Sequence, residues 1–221
     1  MKIVKPSYEI LDHNNLLRNI ELGGRVCYKS EDQMTEEPNC KLLEKWKSMK
    51  HYSVFEHGVI TVKFICDRGV THELVRHRLA AFSQESTRYC NYSKDKFGQE
   101  ITVIDPRGSF WEDSDTGLKD NRFQLWLAAM INVEGTYFAL LNSGATPQQA
   151  RDVLPNSLKT EIQMTANVRE WRHVLTLRTD KAAHPQMREI MIPLLADFAK
   201  RWPILFQDIH EELNKGETNA Q

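Results

Sequence analysis

The sequence predicts an α+β fold in a single domain, on three observations. The β-branched and aromatic run Val59-Ile60-Thr61-Val62-Lys63-Phe64-Ile65-Cys66 reads as a strand, and a second alternating run follows at Ile162-x-Met164-x-Ala166. Long stretches of helical periodicity surround both. The 221 residues, 41% of them hydrophobic, suffice for one sizeable core, so residues 1–213 are expected to form one domain and the polar residues 214–221 a frayed tail.

Taken in order, Leu16-Leu17-x-x-Ile20-x-Leu22 has mixed helical periodicity, and Asn39 is placed to cap a helix through Leu42, Leu43 and Trp46. The strand from Val59 is expected to end at Asp67-Arg68-Gly69. Thr71 then offers a cap for a helix on which Leu74, Val75, Leu79 and Phe82 would share one side. Residues 91–119, dense in Asp, Gly, Ser and Lys, predict a loop-rich excursion around a short Ile101–Ile104 strand. Asn121 to Asn142 carries Phe123, Leu127, Met130, Ile131, Glu134, Tyr137, Phe138 and Leu141, a pattern expected of the principal core helix, ending near Gly144. Pro147 opens a short helix through Arg151, which Pro155 stops. Glu170 to Leu177 reads as helix again, and two more helical stretches surround Pro193 and Pro203.

Charge and cysteine usage exclude several classes. Twenty-nine basic residues against 30 acidic give a net charge of −1, which removes any global attraction to nucleic acid or membrane. The Met1-Lys2-Ile3-Val4-Lys5-Pro6 start lacks the apolar run of a secretory signal, and no stretch approaches the ~20 apolar residues of a membrane span, so a soluble cytoplasmic protein is expected. Cys27, Cys40, Cys66 and Cys90 have neither zinc nor disulfide-scaffold spacing and read as reduced thiols.

The chemistry concentrates after the first long strand. On a helix of about 100° per residue, with Leu74 at zero, Arg76 would fall at about 200° and Arg78 at about 40°, among the apolar side chains. An arginine so placed must snorkel to water, pair with an internal carboxylate or meet a fixed anion. A phosphate-bearing ligand suits it, because the planar fork grips phosphate oxygens bidentately and stays charged at physiological pH. The next stretch, Ser83-Gln84-Glu85-Ser86-Thr87-Arg88-Tyr89, is dense in hydrogen-bonding groups and reads either as a polar surface turn or as part of the same site.

Arg76-His77-Arg78, then seven residues, then Ser86 with Arg88-Tyr89 two positions beyond, resembles the motif of flavin-dependent thymidylate synthases. Phe55-Glu56-His57, Ala150-Arg151-x-x-Leu154-Pro155, Asn167-x-Arg169 and Leu177-Arg178 agree with the same family, in order, across most of the chain. The resemblance implies a mixed or antiparallel central sheet flanked by several helices. It implies that Arg76, His77 and Arg78 bind FAD, with Arg76 also near the substrate dUMP, and that Ser53, Gln84, Asn167, Arg169 and His173 contact flavin. Glu73 and Arg76, the stretch Gln84, Glu85, Ser86, Thr87 and Arg88, and Arg151 fall on the substrate side, and Arg178 matches the arginine that favours ionisation of the uracil ring at N3. The implied reaction transfers a one-carbon unit from methylenetetrahydrofolate to dUMP, with NADPH regenerating the reduced flavin, in a homotetramer whose flavin sites lie at subunit interfaces.

Three positions depart from the commoner family pattern: Glu73 stands where Gln is usual, Gln84 where Glu is frequent and His173 where Asn often lies. A carboxylate at Glu73 would repel a substrate phosphate unless it paired with Arg76 or His77 on the same helix. Two extra residues between Asp180 and His184 leave that histidine without a carried-over role. The site is poor in nucleophiles: no base adjoins Ser86, which reads as a hydrogen-bond donor to substrate, and Cys66 and Cys90 read as incidental thiols.

Three rivals are weaker. His72-Glu73-Leu74-Val75-Arg76-His77 imitates a zinc-protease string, but its second histidine falls at i+5, about 140° away on a helix, so no metal is expected. A non-catalytic nucleic-acid binder could use the Arg-rich helix with Tyr89 and Tyr92, against the neutral net charge. A silent relative would have little reason to keep Arg151, Asn167, Arg169 and Arg178.

Overall fold

The computed structural model describes residues 1–111 and 121–218. Residues 112–120, which include the last part of the expected 91–119 excursion, and the final three residues lie outside the described residues. The fold is α+β, as the periodicities predict. Its strands are β1 (Lys2–Val4), β2 (Ser7–Asp12), β3 (Val59–Asp67), β4 (Ala80–Gln84), β5 (Thr102–Ile104) and β6 (Lys159–Asn167). The helices are α1 (Leu16–Tyr28), α2 (Cys40–Ser48), α3 (Arg68–Leu74), α4 (Asn121–Asn142), α5 (Pro147–Ala150), α6 (Val168–Thr179), α7 (Pro185–Arg201) and α8 (Pro203–Thr218). Strands β1 and β5 pair in parallel, Ile3 opposite Val103, and a four-stranded sheet has the order β2-β3-β6-β4.

Contacts group into two compact units, each assembled from separated stretches of chain. The first comprises Met1–Ser7, Phe64–Arg76 and Ser83–Ile162, the second Tyr8–Lys63, His77–Phe82 and Gln163–Gln221. The chain passes from one to the other within β2, β3, β4 and β6 and between Arg76 and His77.

The first unit is built on Tyr92, Ile101, Val103, Met130, Tyr137, Ala150 and Leu158, all buried together. The N-terminal ammonium is fixed there by Glu100 at 3.1 Å and Glu134 at 2.9 Å. Helix α4 has the expected bounds but not the expected rank. It buries only Phe123, Met130 and Tyr137, one face in seven-residue steps, while Leu125 and Ile131 stay exposed. It closes at Gly144, whose φ of 92° favours a residue without a side chain.

The second unit holds the helical core. Helix α7 buries Met187, Ile190, Met191, Leu194, Leu195, Phe198 and Ala199, and it tolerates the interior Pro193, whose carbonyl accepts from Tyr8 Oη at 3.0 Å. Trp171 of α6 meets Phe198 edge-on at 5.5 Å and donates Nε1–H to the Ile60 carbonyl at 2.9 Å. Asn39 caps α2 as expected, accepting from the Leu42 N–H at 3.1 Å. Gly24 sits mid-helix in α1 because a Cβ there would come within 2.2 Å of the Trp46 ring. Helix α8 runs on to Thr218, so residues 214–218 are helix rather than frayed tail; Lys181 Nζ donates to the Gly216 carbonyl at 2.7 Å and ties down that last turn. The four cysteines are free, and burial pushes the Cys66 thiol up.

Candidate active site

The helix carrying the arginine motif is shorter than its periodicity predicts. Asp67, not Thr71, caps α3: its Oδ1 accepts from the Val70 N–H at 2.7 Å, while the Thr71 hydroxyl donates to the Arg68 carbonyl at 2.9 Å. Helix α3 stops at Leu74 with Val75 as its last cap, and the Arg76 N–H reaches the Glu73 carbonyl in a tight i→i−3 turn at 3.2 Å. Arg76 to Leu79 then form turns leading into β4. The wheel that set Arg76 and Arg78 on opposite faces therefore does not apply. Both are exposed, and Leu79, expected on the apolar side, is 76% exposed. Sheet formation by Ala80–Gln84 outweighs the helical pattern. The nucleic-acid reading loses its Arg-rich helix with it.

Between the two exposed arginines, His77 is buried at 5% exposure. Within the second unit, Arg178 Nε donates to His77 Nε2 at 2.9 Å, and His77 Nδ1 lies 3.5 Å from Glu170 Oε1. The His173 ring stands edge-on to it at 5.8 Å. Burial, then the Arg178 guanidinium, then His173 hold the His77 pKa down to about 4, so the ring is neutral at physiological pH. A guanidinium can only donate, hence Nε2 carries the lone pair and the proton sits on Nδ1, towards Glu170.

His77, Glu170 and His173 are also the group that, among the described residues, could gather around a metal ion. The donor chemistry argues against one. A metal on Nδ1 would require both ring nitrogens unprotonated, an imidazolate, with a guanidinium against the other nitrogen.

Asn167 caps α6: its Oδ1 accepts from the Glu170 N–H at 2.9 Å, so that oxygen is committed to the helix start. Ser53 and Arg169, both expected at flavin, line one cavity of about 410 Å³ together with Tyr28, Trp46, Lys50 and Tyr52. Arg169 also pairs with Glu56 at 2.6 Å near its edge, both side chains being about half exposed.

In the first unit, Gln84 Nε2 donates to the hydroxyls of Thr71 at 3.0 Å and Thr160 at 3.3 Å. Glu85 is tied down at both oxygens, Oε1 by the Tyr92 hydroxyl at 3.0 Å and Oε2 by Lys159 at 3.2 Å. Burial and that carboxylate push the Tyr92 hydroxyl up, while Glu161 and Glu85 outweigh burial to raise Lys159. Ser86 organises a turn, its carbonyl accepting from Tyr89 and Cys90 and its Oγ from the Arg88 N–H at 3.3 Å. Thr87 is buried and Arg88 exposed, stacking 5.5 Å over Tyr89. Arg88 Nε donates to Gln148 Oε1 at 3.2 Å, which sets this turn against the short helix that Arg151 ends. Glu73, at the end of α3, is half-buried.

The sequence-predicted residues thus fall into two sets. The first unit carries Glu73, Arg76, Gln84 to Arg88 and Arg151; the second carries Ser53, His77, Arg78, Asn167, Arg169, His173 and Arg178. Residues 9–204, which include both sets, match the family described as thymidylate synthase complementing protein. The chain belongs to that family. Among relatives in the thymidylate synthase complementing protein family, the flavin-dependent thymidylate synthase of Corynebacterium efficiens is 33% identical over 87% of this chain and 79% of its own length. Those of Geobacter sulfurreducens and Pyrococcus furiosus are each 31% identical, covering 86% and 82% of this chain and 80% and 71% of theirs. Among solved structures, the UMP/dUMP methylase PolB of Streptomyces cacaoi, crystallised with 5-Br dUMP, superposes with a TM-score of 0.74 over 97% of each chain at 24% identity, a likeness of fold.

Sequence reasoning missed Glu170, Lys159 and Gln148, and gave Tyr92 a stacking role in the nucleic-acid reading instead of its hold on Glu85. Glu170 alone had a local signal: Asn167-x-x-Glu170 is the spacing of a helix cap with an acid at its third position. The other three are recognised only by what they touch.

Proposed function

We propose that this chain is a flavin-dependent thymidylate synthase, converting dUMP to dTMP with FAD as cofactor, methylenetetrahydrofolate as one-carbon donor and NADPH as reductant. The observation that carries the reading is the seat of Arg178: its Nε donates to a buried, neutral histidine, which fixes the orientation of the guanidinium. A guanidinium so placed stabilises negative charge developing on a uracil ring with no proton transfer of its own.

The donor set fits a flavin. In the second unit, Ser53, Lys50 and Arg169 give one cavity polar and cationic groups beside the aromatic Tyr28, Trp46 and Tyr52, a lining suited to a flat ring system bearing phosphates. When bound, flavin supplies the hydride chemistry that no side chain of this protein can perform. Arg78 and His173, exposed beside the buried His77, belong to the same flavin-facing set. With the Nε2 lone pair of His77 taken by Arg178 and its Nδ1 turned towards Glu170, that ring acts by seating Arg178. In the first unit, Arg76, Ser86, Arg88 and Arg151 offer the cations and hydroxyl that a nucleotide phosphate requires. Glu85, tied to Tyr92 and Lys159, shapes that turn instead of reaching for substrate. Gln84 positions β4 through its two threonine contacts, and its carbonyl oxygen is the group offered to a ligand. A homotetramer working in the cytoplasm completes the proposal.

The test is direct. The purified protein should be yellow with bound flavin or take up added FAD, oxidise NADPH in the presence of dUMP, and form dTMP when methylenetetrahydrofolate is supplied. A colourless protein that neither binds FAD nor makes dTMP overturns the proposal.

A further inference from the structure

Glu170 is a buried carboxylate, 8% exposed, for which the proposed reaction has no direct use. It lies eight residues before Arg178 on the same helix, a rise of about 12 Å that keeps the two from pairing directly. The His77 imidazole bridges them, Nδ1 towards Glu170 Oε1 and Nε2 towards Arg178 Nε.

Building on the proposed role of Arg178, we infer that Glu170 is a positioning residue: its negative charge holds the Nδ1–H end of the His77 ring, and the ring in turn presents its Nε2 lone pair to aim Arg178. At 3.5 Å the Glu170 contact is longer than an ordinary hydrogen bond, so the carboxylate acts chiefly through the attraction of its charge for the N–H end of the ring dipole. The backbone from which the carboxylate extends is itself anchored, because the N–H of Glu170 donates to Asn167 Oδ1 at 2.9 Å. Burial of His77 keeps the ring neutral, which is the state this geometry needs: a doubly protonated imidazolium would have no lone pair for Arg178. The arrangement has the logic of an outer carboxylate fixing the tautomer and rotation of a histidine that carries the working group.

A residue that merely starts a helix would have a different signature. Glu170 stands at the third helical position, where an acid is favourable for the helix dipole alone, and that role would move thermal stability and nothing else. The deciding measurement is ¹⁵N chemical shift and protonation at the two His77 nitrogens, made on the full-length wild type and on Glu170→Gln, alongside steady-state kinetics. In the wild type Nδ1 should be protonated and Nε2 not. In Glu170→Gln, where the Arg178 contact still favours the Nδ1–H tautomer, the Nδ1 signal should shift as the charge facing it is lost, kcat for dTMP formation should fall roughly tenfold, and KM for dUMP should change by less than about twofold. Glu170→Asp, which keeps the charge on a shorter stem, should recover part of both. A wild-type His77 protonated at Nε2, or a Glu170→Gln protein with wild-type ¹⁵N signals and kcat, overturns the inference. The ¹⁵N readout needs no turnover, so a protein that makes no dTMP would defeat the proposed function while the His77 signals still decided the role of Glu170.

Discussion

His77 couples proton binding to stability. Its pKa is about 4 in the folded chain against 6.5 for an unperturbed histidine, so between those values the unfolded chain binds a proton that the folded chain refuses. The contribution is therefore complete above about pH 6.5, is lost as pH falls towards 4, and reaches at most about 3 kcal/mol. Urea unfolding from pH 4 to 8 should show this acid limb in the wild type and a shallower one in His77→Gln; equal slopes would remove the assignment. Glu85 shows the same dependence on partners. Tyr92→Phe takes away the donor to Oε1 and should cost about 1–2 kcal/mol in chemical denaturation, since the half-buried carboxylate keeps only Lys159. No loss on that substitution would return Glu85 to the ligand.

At the scale of elements, close approach and capping decide more than propensity. Gly24→Ala puts the better helix former into α1, yet the new Cβ meets the Trp46 ring, so stability should fall by about 1–3 kcal/mol rather than rise. Asn167→Ala should cost about 1 kcal/mol through the cap of α6, and Asn167→Asp, which can accept the same Glu170 N–H, should restore most of it. If Asn167→Asp unfolds as readily as the alanine variant, the oxygen is not acting as a cap. The caps at Asn39 and Asn167 and the run of β3 were legible because each is written within a few neighbouring residues. The end of α3 was not. Thr71, Leu74, Val75, Leu79 and Phe82 keep a helical period past the point where Ala80–Gln84 joins a sheet, and no local feature announces that competition. Helix α4 failed in the opposite sense: its pattern is long and apolar, but only every seventh residue from Phe123 is buried.

For the whole molecule, the arginines should separate by function. Arg178→Ala should abolish dTMP formation while leaving flavin bound, and Arg78→Ala should weaken flavin retention, both read from the visible spectrum and product formation on the same preparations. Loss of flavin in both variants would undo that division. The sequence by itself determined the family, because motif spacing from Arg76 to Arg178 survives in one dimension. The tertiary structure decided what those residues can do. It ended the arginine helix early, locked Glu85 to Tyr92 and Lys159, and fixed the tautomer of His77 through Arg178, 101 positions away, with Glu170 on the ring's other side. Donor and acceptor roles at a buried ring are set by whichever groups the fold brings within about 3 Å, and sequence spacing carries no record of those distances.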